Sequence, residues 1–237
     1  MLVTPKYEAT PTSEAIDDYL KAIFELSGPS EQVVTGNALA SHLGVRAASV
    51  TGMLQKLAAR RPSFVKYEKR RGVRLTEAGR RRALEVLRHH RLLERFLHEF
   101  LGFAWDEVHE DAERLEHFIS ERLEDRIAAK LGEPNTDPHG HLIPERSGAL
   151  PLRSETPLLD WACGVPAVIS SASDRDPSAL REIERLGLMP GVQFVIAPGS
   201  RNTSLLVRIS GVSEPVRVSR RLAAAISVSP VASESGP

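Results

Sequence analysis

Residues 108–120 have the sequence VHEDAERLEHFIS, in which two histidines and two glutamates recur at helical intervals. His109, Glu113, Glu116 and His117 stand at positions i, i+4, i+7 and i+8. On a helix of about 3.6 residues per turn, these four side chains project within an arc of roughly 100°. Imidazole and carboxylate groups on such a stripe can chelate a divalent ion, but a solvated helix face also collects Glu and His. Taken alone, the stretch leaves both interpretations open.

Two other predicted helices supply further ligand types. The helix predicted over residues 77–103 carries His90 and Glu94 one turn apart, so their side chains share a face. A helix predicted over residues 13–27 contains Asp18. Each of these residues alone has an ordinary explanation, such as a helix-dipole contact or a surface ion pair. Together, ligands from three helices predict a clamp around one ion.

The charge distribution points to two kinds of partner. The chain has 237 residues with 31 basic and 31 acidic side chains, but residues 46–95 contain fifteen Lys plus Arg against four acids. Residues 96–131 reverse this, with four basic and ten acidic side chains. This separation predicts an anionic polymer for the first block and a cation for the second. The single cysteine, Cys163, and the lack of a leader-like or membrane-spanning run predict a cytoplasmic protein without a membrane partner.

The N-terminal third has the pattern of a winged helix-turn-helix. After the helix at residues 13–27, short helices are predicted over residues 36–43 and 47–60, with Gly44 at the turn. Residues 64–76, FVKYEKRRGVRLT, alternate as a hairpin with a basic tip. This order of parts favours double-stranded DNA as the partner over a basic hairpin without one. The predicted DNA-binding residues are Arg46, Ser49, Thr51, Gln55, Lys56, Lys69, Arg70, Arg71 and Arg74.

The remaining chain predicts a dimer, a linker and a small β domain. The helices after the wing carry more large apolar side chains than one small domain can bury, which predicts a homodimer on a palindromic operator. Residues 132–157 contain five prolines and predict a linker, with His139 and His141 as ordinary exposed loop residues. Four short β-branched runs and a helix over residues 177–186 predict a compact barrel. Residues 229–237 are expected to be disordered.

This order of parts resembles the diphtheria toxin repressor family of metal-dependent transcriptional regulators, of the manganese transport regulator type. The likeness is most specific in RHHRLLERFL, VHEDAERLEHFIS and DPHGHLIP, and RLGLMPGVQFVI resembles the SH3-like barrel that many members append. The resemblance implies a mainly α fold with a small β part, a dimer and operator binding. The expected domains are a winged helix-turn-helix at 1–76, a helical metal-binding and dimerisation domain at 77–147, a linker at 148–160, an SH3-like domain at 161–228 and a tail at 229–237.

The resemblance also implies a set of metal ligands. One site would contain Asp18, Glu113, Glu116 and His117, and a separate ancillary site would contain His90, Glu94, His109 and, from the C-terminal domain, Asp176. Iron-type members place Met and Cys where this chain has Asp18 and Glu113, whereas manganese-type members place carboxylates there. Hard oxygen donors favour Mn(II), with Fe(II) as the alternative ion. Lys21 stands where manganese-type members carry a second N-terminal carboxylate, which argues against a paired centre there.

The resemblance thus implies a Mn(II)-activated repressor of metal-uptake genes. An iron-responsive regulator of the same family and a metal-indifferent winged-helix regulator are the alternatives. An enzyme with a catalytic metal is a further class, but no HExxH-type motif or nucleophile constellation accompanies the cluster, so we expect no catalysis. The predicted mechanism is that a bound ion draws Asp18 and the residue 109–117 cluster together and fixes the spacing of two recognition helices.

Overall fold

The computed structural model describes residues 13–199 and 203–231. These residues fall into two compact units that divide between Leu87 and Arg88. The predicted tail residues 232–237, and residues 1–12 of the predicted DNA-binding domain, lie outside the described residues. None of the helices in the described part of the chain has the length and apolarity that a membrane span requires.

The first unit is a helix-turn-helix followed by a β-hairpin. Apolar residues at helical spacing give the helices a buried face, and fully buried side chains from all three helices form one core. The hairpin pairs antiparallel, from Val65 opposite Leu75 to Glu68 opposite Gly72. The elements are α1 (Glu14–Ser27), α2 (Gly36–Leu43), α3 (Ala47–Ala59), β1 (Val65–Glu68) and β2 (Gly72–Leu75).

Two local devices fix this arrangement. The Thr35 side chain accepts a hydrogen bond from the Ala38 amide, 3.2 Å away, and so caps the start of α2. At the hairpin, a Cβ on Gly72 would lie 2.5 Å from the carbonyl oxygen of Val34, and Gly72 also has a φ of +121°. Only glycine allows this close approach, which lets Val34 pair with Val73 and ties the wing to the chain before α2.

The helical part of the second unit differs from the prediction at one point. Helix α4 (Glu77–Leu101) crosses the division between the units and is followed by α5 (Val108–Leu115) and α6 (Glu121–Lys130). The single helix on which the four residues from His109 to His117 were placed is therefore shorter than expected, because α5 ends at Leu115 and a turn follows. Ser120 has extended backbone angles and its side chain accepts from the Leu123 amide, so it begins a new helix.

The proline-rich stretch predicted as a linker is ordered against α4. The carbonyl oxygens of Thr136, Leu142 and Pro144 accept hydrogen bonds from Arg95, Arg91 and Arg88 respectively. Ile143 is buried in the apolar cluster of α4, α5 and α6. The prolines interrupt regular helices and strands, so the carbonyl oxygens of this stretch are available to other donors. The three arginines on α4 provide those donors.

The C-terminal part of the second unit is a six-stranded antiparallel sheet. A helix at Pro177–Arg185, through Leu180 and Ile183, packs into the apolar core of this sheet. A side chain from elsewhere, Trp105 of the α4–α5 loop, is 2% exposed in that core. The elements are β3 (Thr156–Pro157), a 3-10 turn (Leu158–Asp160), β4 (Pro166–Ala172), α7 (Pro177–Arg185), β5 (Gln193–Ile196), β6 (Ser204–Ile209), β7 (Val216–Ser219), α8 (Arg220–Ala223) and β8 (Ile226–Pro230). Across the sheet the strand order is β3-β8-β4-β5-β6-β7.

The mainly α fold with a small β part is thus confirmed, and two predictions inside it are corrected. The last strand, β8, continues through Ser229 and Pro230, so the expected disorder is wrong for these two residues. Ser229 pairs with Val168 of β4, and the inward-facing Ile226 and Val228 anchor the strand. Residues 156–160 of the predicted linker are also regular, because β3 pairs with β8 and Leu158 is buried.

Candidate metal centres and nucleic-acid interface

The ancillary ligands predicted on α4 and α5 converge on one carboxylate. Glu94 is fully buried, and its Oε1 lies 3.0 Å from Nε2 of His90 and 3.3 Å from Nδ1 of His109. The one-turn spacing on α4 sets the first contact, and the start of α5 brings His109 to the second. The structure therefore brings together the three helical residues of this predicted site.

The acidic residue of the C-terminal domain that lies at this cluster is Asp174, whereas the predicted Asp176 has other partners, so its assignment as a ligand stays a prediction. Oδ2 of Asp174 lies 3.4 Å from Nδ1 of His109. Asp176 instead caps α7, accepting hydrogen bonds from the Ser178 and Ala179 amides, and pairs with Arg221 at 2.7 Å. The sequence contains the reason, since proline at the first helical position marks the preceding residue as the cap.

Glu113, Glu116 and His117 lie on the other side of His90. Oε2 of the buried Glu116 is 2.5 Å from Nδ1 of His90, and Oε2 of Glu113 is 3.8 Å from the same nitrogen. Nε2 of His117 lies 3.7 Å from Oε1 of Glu116. His90 therefore contacts ligands of both predicted sites, one through each ring nitrogen. The two sets expected to be separate are joined at this imidazole.

The remaining predicted ligand, Asp18, lies on α1 in the first unit and is half-buried. Its neighbour Asp17 is buried and forms a two-bonded ion pair with Arg82, at 2.7 and 2.8 Å. Lys21, one turn after Asp18, is also buried. The assignment of Asp18 as a metal ligand stays a prediction.

The electrostatics of the cluster suit a cation. Burial disfavours ionisation of Glu94, but the charge of His90 and the contacts with His109 and His139 hold its pKa well below the usual range. Burial lowers the pKa of His109, yet its contacts with Asp174 and Glu94 outweigh this and raise that pKa to about 10. The pKa of Asp174 is lowered, mainly by His109 against the cost of burial. Protons on these imidazoles thus balance the carboxylates, and an ion binding there would displace them.

The histidines of the DPHGH stretch are not ordinary exposed loop residues, so that interpretation is corrected. His139 is fully buried and its Nε2 donates to the Trp105 carbonyl oxygen, 2.9 Å away. Burial lowers the pKa of His139, but Glu94 outweighs this and raises it to about 9. Nδ1 of the half-buried His141 lies 3.2 Å from Oδ2 of Asp137. An Asp and two His at alternate positions are a recognisable metal-ligand pattern. The interpretation of this stretch as a proline-rich linker overlooked it.

The predicted DNA-binding residues lie on the outer face of α3 and on the hairpin. Opposite the buried Val50, Leu54 and Leu57, the outer face is polar. Two hairpin arginines make contacts within the unit: Arg71 pairs with Glu68 at 3.0 Å and Arg74 donates to the Glu31 carbonyl. Thr51, half-buried, donates to the Ala47 carbonyl. Arg46, Ser49, Gln55, Lys56, Lys69 and Arg70 are exposed, and so are Arg71 and Arg74 despite these contacts.

Comparison with known families matches three successive segments of the chain. Residues 11–73 match the iron dependent repressor N-terminal DNA binding domain. Residues 76–145 match the iron dependent repressor metal binding and dimerisation domain. Residues 156–230 match the FeoA domain.

Individual relatives agree with these matches. The iron-dependent repressor IdeR of Mycobacterium tuberculosis is 36% identical over 127 residues, which are 53% of this chain and 54% of IdeR. The chain thus spans about half the length of that relative. The HTH-type transcriptional regulator MntR of Oceanobacillus iheyensis is 35% identical over 113 residues, 48% of this chain and 74% of MntR.

A solved structure extends the likeness over nearly the whole chain. A manganese-dependent transcriptional repressor in complex with manganese is 36% identical, with a TM-score of 0.84, over 91% of this chain and 100% of that one. A structure of ScaR with bound Zn2+ is 28% identical, with a TM-score of 0.74, over 93% of this chain. These matches, together with the convergence of His90, Glu94 and His109, show that the chain belongs to the diphtheria toxin repressor family of metal-dependent transcriptional regulators.

Proposed function

We propose that this protein is a Mn(II)-activated, DNA-binding repressor of metal-uptake genes that acts as a homodimer in the cytoplasm. The observation that carries the proposal is the buried His90, whose two nitrogens lie 3.0 Å from Glu94 and 2.5 Å from Glu116. Buried carboxylates and imidazoles in contact are costly without a cation or protons to balance them. The same chain contains a winged helix with an exposed basic face.

The choice of ion rests on ligand type. Carboxylates at Asp18, Glu113 and Glu116 form a hard donor set that suits Mn(II), and a manganese-dependent repressor is among the solved relatives. Fe(II) is the second candidate, since IdeR is named an iron-dependent repressor. We propose that the ion has a structural and regulatory role. Its binding changes the affinity of the protein for DNA and does not catalyse a reaction.

The proposed mechanism is linkage between ion and operator. Asp18 lies in the unit of the winged helix, and the residues from Glu113 to His117 lie in the other. An ion that takes ligands from both would restrict the placement of the recognition helices in a dimer. Coupling of this kind amounts to about 1–3 kcal/mol, and operator DNA must strengthen metal binding by the same factor.

The direct test is selection of DNA by the full chain. The protein with Mn(II) would be used to enrich duplexes from a random library, and the enriched sequences would be measured by fluorescence anisotropy with Mn(II) and with EDTA. We expect a palindromic sequence that binds about 5–150-fold more tightly with Mn(II). Equal affinity in EDTA would favour the metal-indifferent regulator and refute the proposal. Parallel titration with Fe(II) distinguishes the two ions.

Replacing Asp174 with asparagine is expected to weaken binding at the ancillary site, whereas Asp176→Asn leaves it unchanged. The Asp174 carboxylate faces His109 and the Asp176 carboxylate caps α7. Loss of a charged ligand should lower Mn(II) affinity at that site by about 10-fold or more, in line with the effect of disturbing a metal ligand's surroundings. Isothermal titration calorimetry measures both variants. The reverse order of effects would restore Asp176 as the ligand.

The wing should contribute to DNA affinity through charge. Replacing Arg70 and Arg71 with alanine is expected to flatten the plot of log affinity against log salt, by about 0.9 for each phosphate that the wing no longer neutralises. Arg185→Ala with Arg208→Ala is the matched control, because it removes two exposed arginines from the C-terminal domain. If both double variants give the slope of the parent protein, the hairpin does not touch the phosphates.

A further inference from the structure

The buried carboxylate of Glu124, which is not among the predicted ligands, connects α6 to α4. Its Oε1 lies 2.5 Å from Nε of Arg88, and its Oε2 lies 3.2 Å from Nε2 of His89. Glu124 and His89 are both buried, so water does not compete for the contact between them. Burial raises the pKa of Glu124, but the hydrogen bonds from His89 and Arg88 outweigh this and lower it. The side chain is therefore an ionised carboxylate that accepts from both neighbours.

His89 links this carboxylate to the main chain of a predicted metal ligand. Its Nδ1 lies 3.2 Å from the carbonyl oxygen of Glu116. Glu116 is the residue at which α5 ends, and the last carbonyl groups of a helix have no acceptor role within the helix. A carbonyl oxygen and a carboxylate can only accept, so both ring nitrogens of His89 hold a hydrogen and donate. One imidazole therefore bonds to Glu116 on one side and to Glu124 on the other.

These contacts close a ring that includes the proposed dimer face. From Glu116 the chain passes through the turn at residues 117–120 into α6, and His89 leads back from α6 to Glu116. Phe118 in that turn and Leu123 on α6 are exposed apolar residues within the segment matched as a metal binding and dimerisation domain. Neighbouring side chains on a helix point about 100° apart, so Leu123 faces outward while Glu124 faces His89. A displacement of α6 by a partner subunit would therefore act on the main chain of Glu116.

We propose that Glu124 is a positioning residue for the metal centre, which holds His89 so that His89 fixes the main chain of Glu116. Through this relay, ion binding at Glu116 and dimer assembly through α6 strengthen each other. The coupling is reciprocal, because an ion that favours one placement of Glu116 is bound more tightly by the state that has this placement. The inference rests on the proposed function, since it takes Glu116 as a Mn(II) ligand and the chain as a homodimer.

Attachment of α6 to α4 does not by itself require His89. Arg88 already joins the two helices through Glu124, and its Nη1 donates to the Pro144 carbonyl, 2.8 Å away. Ile127 and Ala128 bury the inner face of α6 in the apolar cluster. These contacts would hold the helix in place with an apolar residue at position 89. They leave unexplained why the second nitrogen of that ring bonds to the main chain of a ligand residue.

Two substitutions of His89 each break one half of the relay. In His89→Asn, the short amide can still donate to the Glu116 carbonyl from about the position of Nδ1, but it does not reach Glu124. In His89→Gln, the longer amide can donate to Glu124 from about the position of Nε2, but it leaves the Glu116 carbonyl without this donor. Glu124→Gln removes the charge that His89 and Arg88 share. The matched control is Asp125→Asn, because Asp125 is a carboxylate of α6 that is 53% exposed and pairs with Arg146.

The measured quantity is the change in the dimer dissociation constant when Mn(II) is added to the full chain. Sedimentation equilibrium with Mn(II) and with EDTA gives this ratio for each protein. We expect Mn(II) to lower the dissociation constant by about 5–150-fold in the parent protein and in Asp125→Asn, and by about twofold or less in the other three variants. A merely structural role would change the constant in EDTA or the melting temperature, and would leave the ratio as it is in the parent protein.

The outcomes are separable from those of the proposed function. A parental ratio in both His89 variants would overturn the relay, and so would a parent dimer whose dissociation constant does not respond to Mn(II). If the operator affinity of the parent protein still responds to Mn(II) in either case, the regulatory proposal stands without the relay. If Glu124→Gln does not fold, the two His89 variants and the Asp125→Asn control decide.

Discussion

Replacing Glu116 with glutamine is expected to abolish most of the gain in operator affinity that we propose for Mn(II). Glu116 is 1% exposed at the C-terminal end of α5, and its Oε2 is 2.5 Å from His90. A neutral amide of the same shape keeps the packing but is a much weaker ligand for a hard cation. The expected loss is up to the whole coupling, about 5–150-fold in affinity. Fluorescence anisotropy on the selected duplex, with Mn(II) and with EDTA, measures it.

The control for this variant is Glu110→Gln. Glu110 is also a glutamate of α5, but it is exposed and pairs at the surface with Arg114. Exposed pairs of this kind contribute about 0–1 kcal/mol to stability, so the control should respond to Mn(II) like the parent protein. A Glu116→Gln protein that keeps the full Mn(II) response would remove this residue from the regulatory site.

Introducing a charge at Phe118 is expected to dissociate the proposed dimer and to abolish the proposed operator binding with it. Phe118 is 72% exposed in the turn between α5 and α6, and Leu115 and Leu123 nearby are 42% and 47% exposed. The matched metal binding and dimerisation domain covers all three. Burying one such side chain stabilises by about 1.5–3 kcal/mol. A two-fold interface contains each residue twice, so Phe118→Glu should raise the dimer dissociation constant by about 10²–10⁴-fold.

Sedimentation equilibrium would measure that constant for the metal-loaded protein. The matched control is Leu152→Glu, because Leu152 is 98% exposed but lies outside the dimerisation segment. The control should remain as dimeric as the parent protein. If Phe118→Glu stays dimeric as well, the exposed apolar face of α5 and α6 is not the interface, and another surface must bring two recognition helices together.

Local patterns predicted the winged helix most accurately. Helix α2 has the predicted bounds, residues 36–43, because Thr35 and Gly44 mark both of its ends. The helix that begins at Val108 ends earlier than the spacing of its ligand residues indicated. His109 and Glu113 fit a helical repeat, and so do Glu116 and His117, but the repeat does not reveal that Ser120 begins another helix. Strand β8 was missed although Ile226 to Ser229 alternate as apolar and polar residues, because the run is short and its last two residues were assigned to the disordered tail.

For the metal centre, the spacing of residues on one helix predicted which side chains lie together. Contacts between distant segments could not be predicted in this way. His90 and Glu94 follow from one helical turn. The contact of His109 with Asp174 joins positions 65 residues apart, and no periodicity specifies it. The sequence alone pointed to Asp176 and not to Asp174, which contacts His109, because loop length cannot rank two nearby aspartates. The cap rule would have removed Asp176 from consideration, since its oxygens are engaged by the amides of α7.

Trp105 gives the C-terminal sheet a core that the segment does not complete by itself. The indole comes from the loop before α5, is almost fully covered by residues of the sheet and α7, and donates through Nε1 to the Pro138 carbonyl. In a protein truncated after residue 155, the Trp105 ring would be exposed to solvent. The excised C-terminal segment would have a cavity where that ring packs. Truncation therefore cannot separate the contribution of the sheet from damage to the helical part that holds the ligands. Because the chain has only two tryptophans, the fluorescence emission of the buried Trp105 reports whether the C-terminal sheet and the helical part remain in contact.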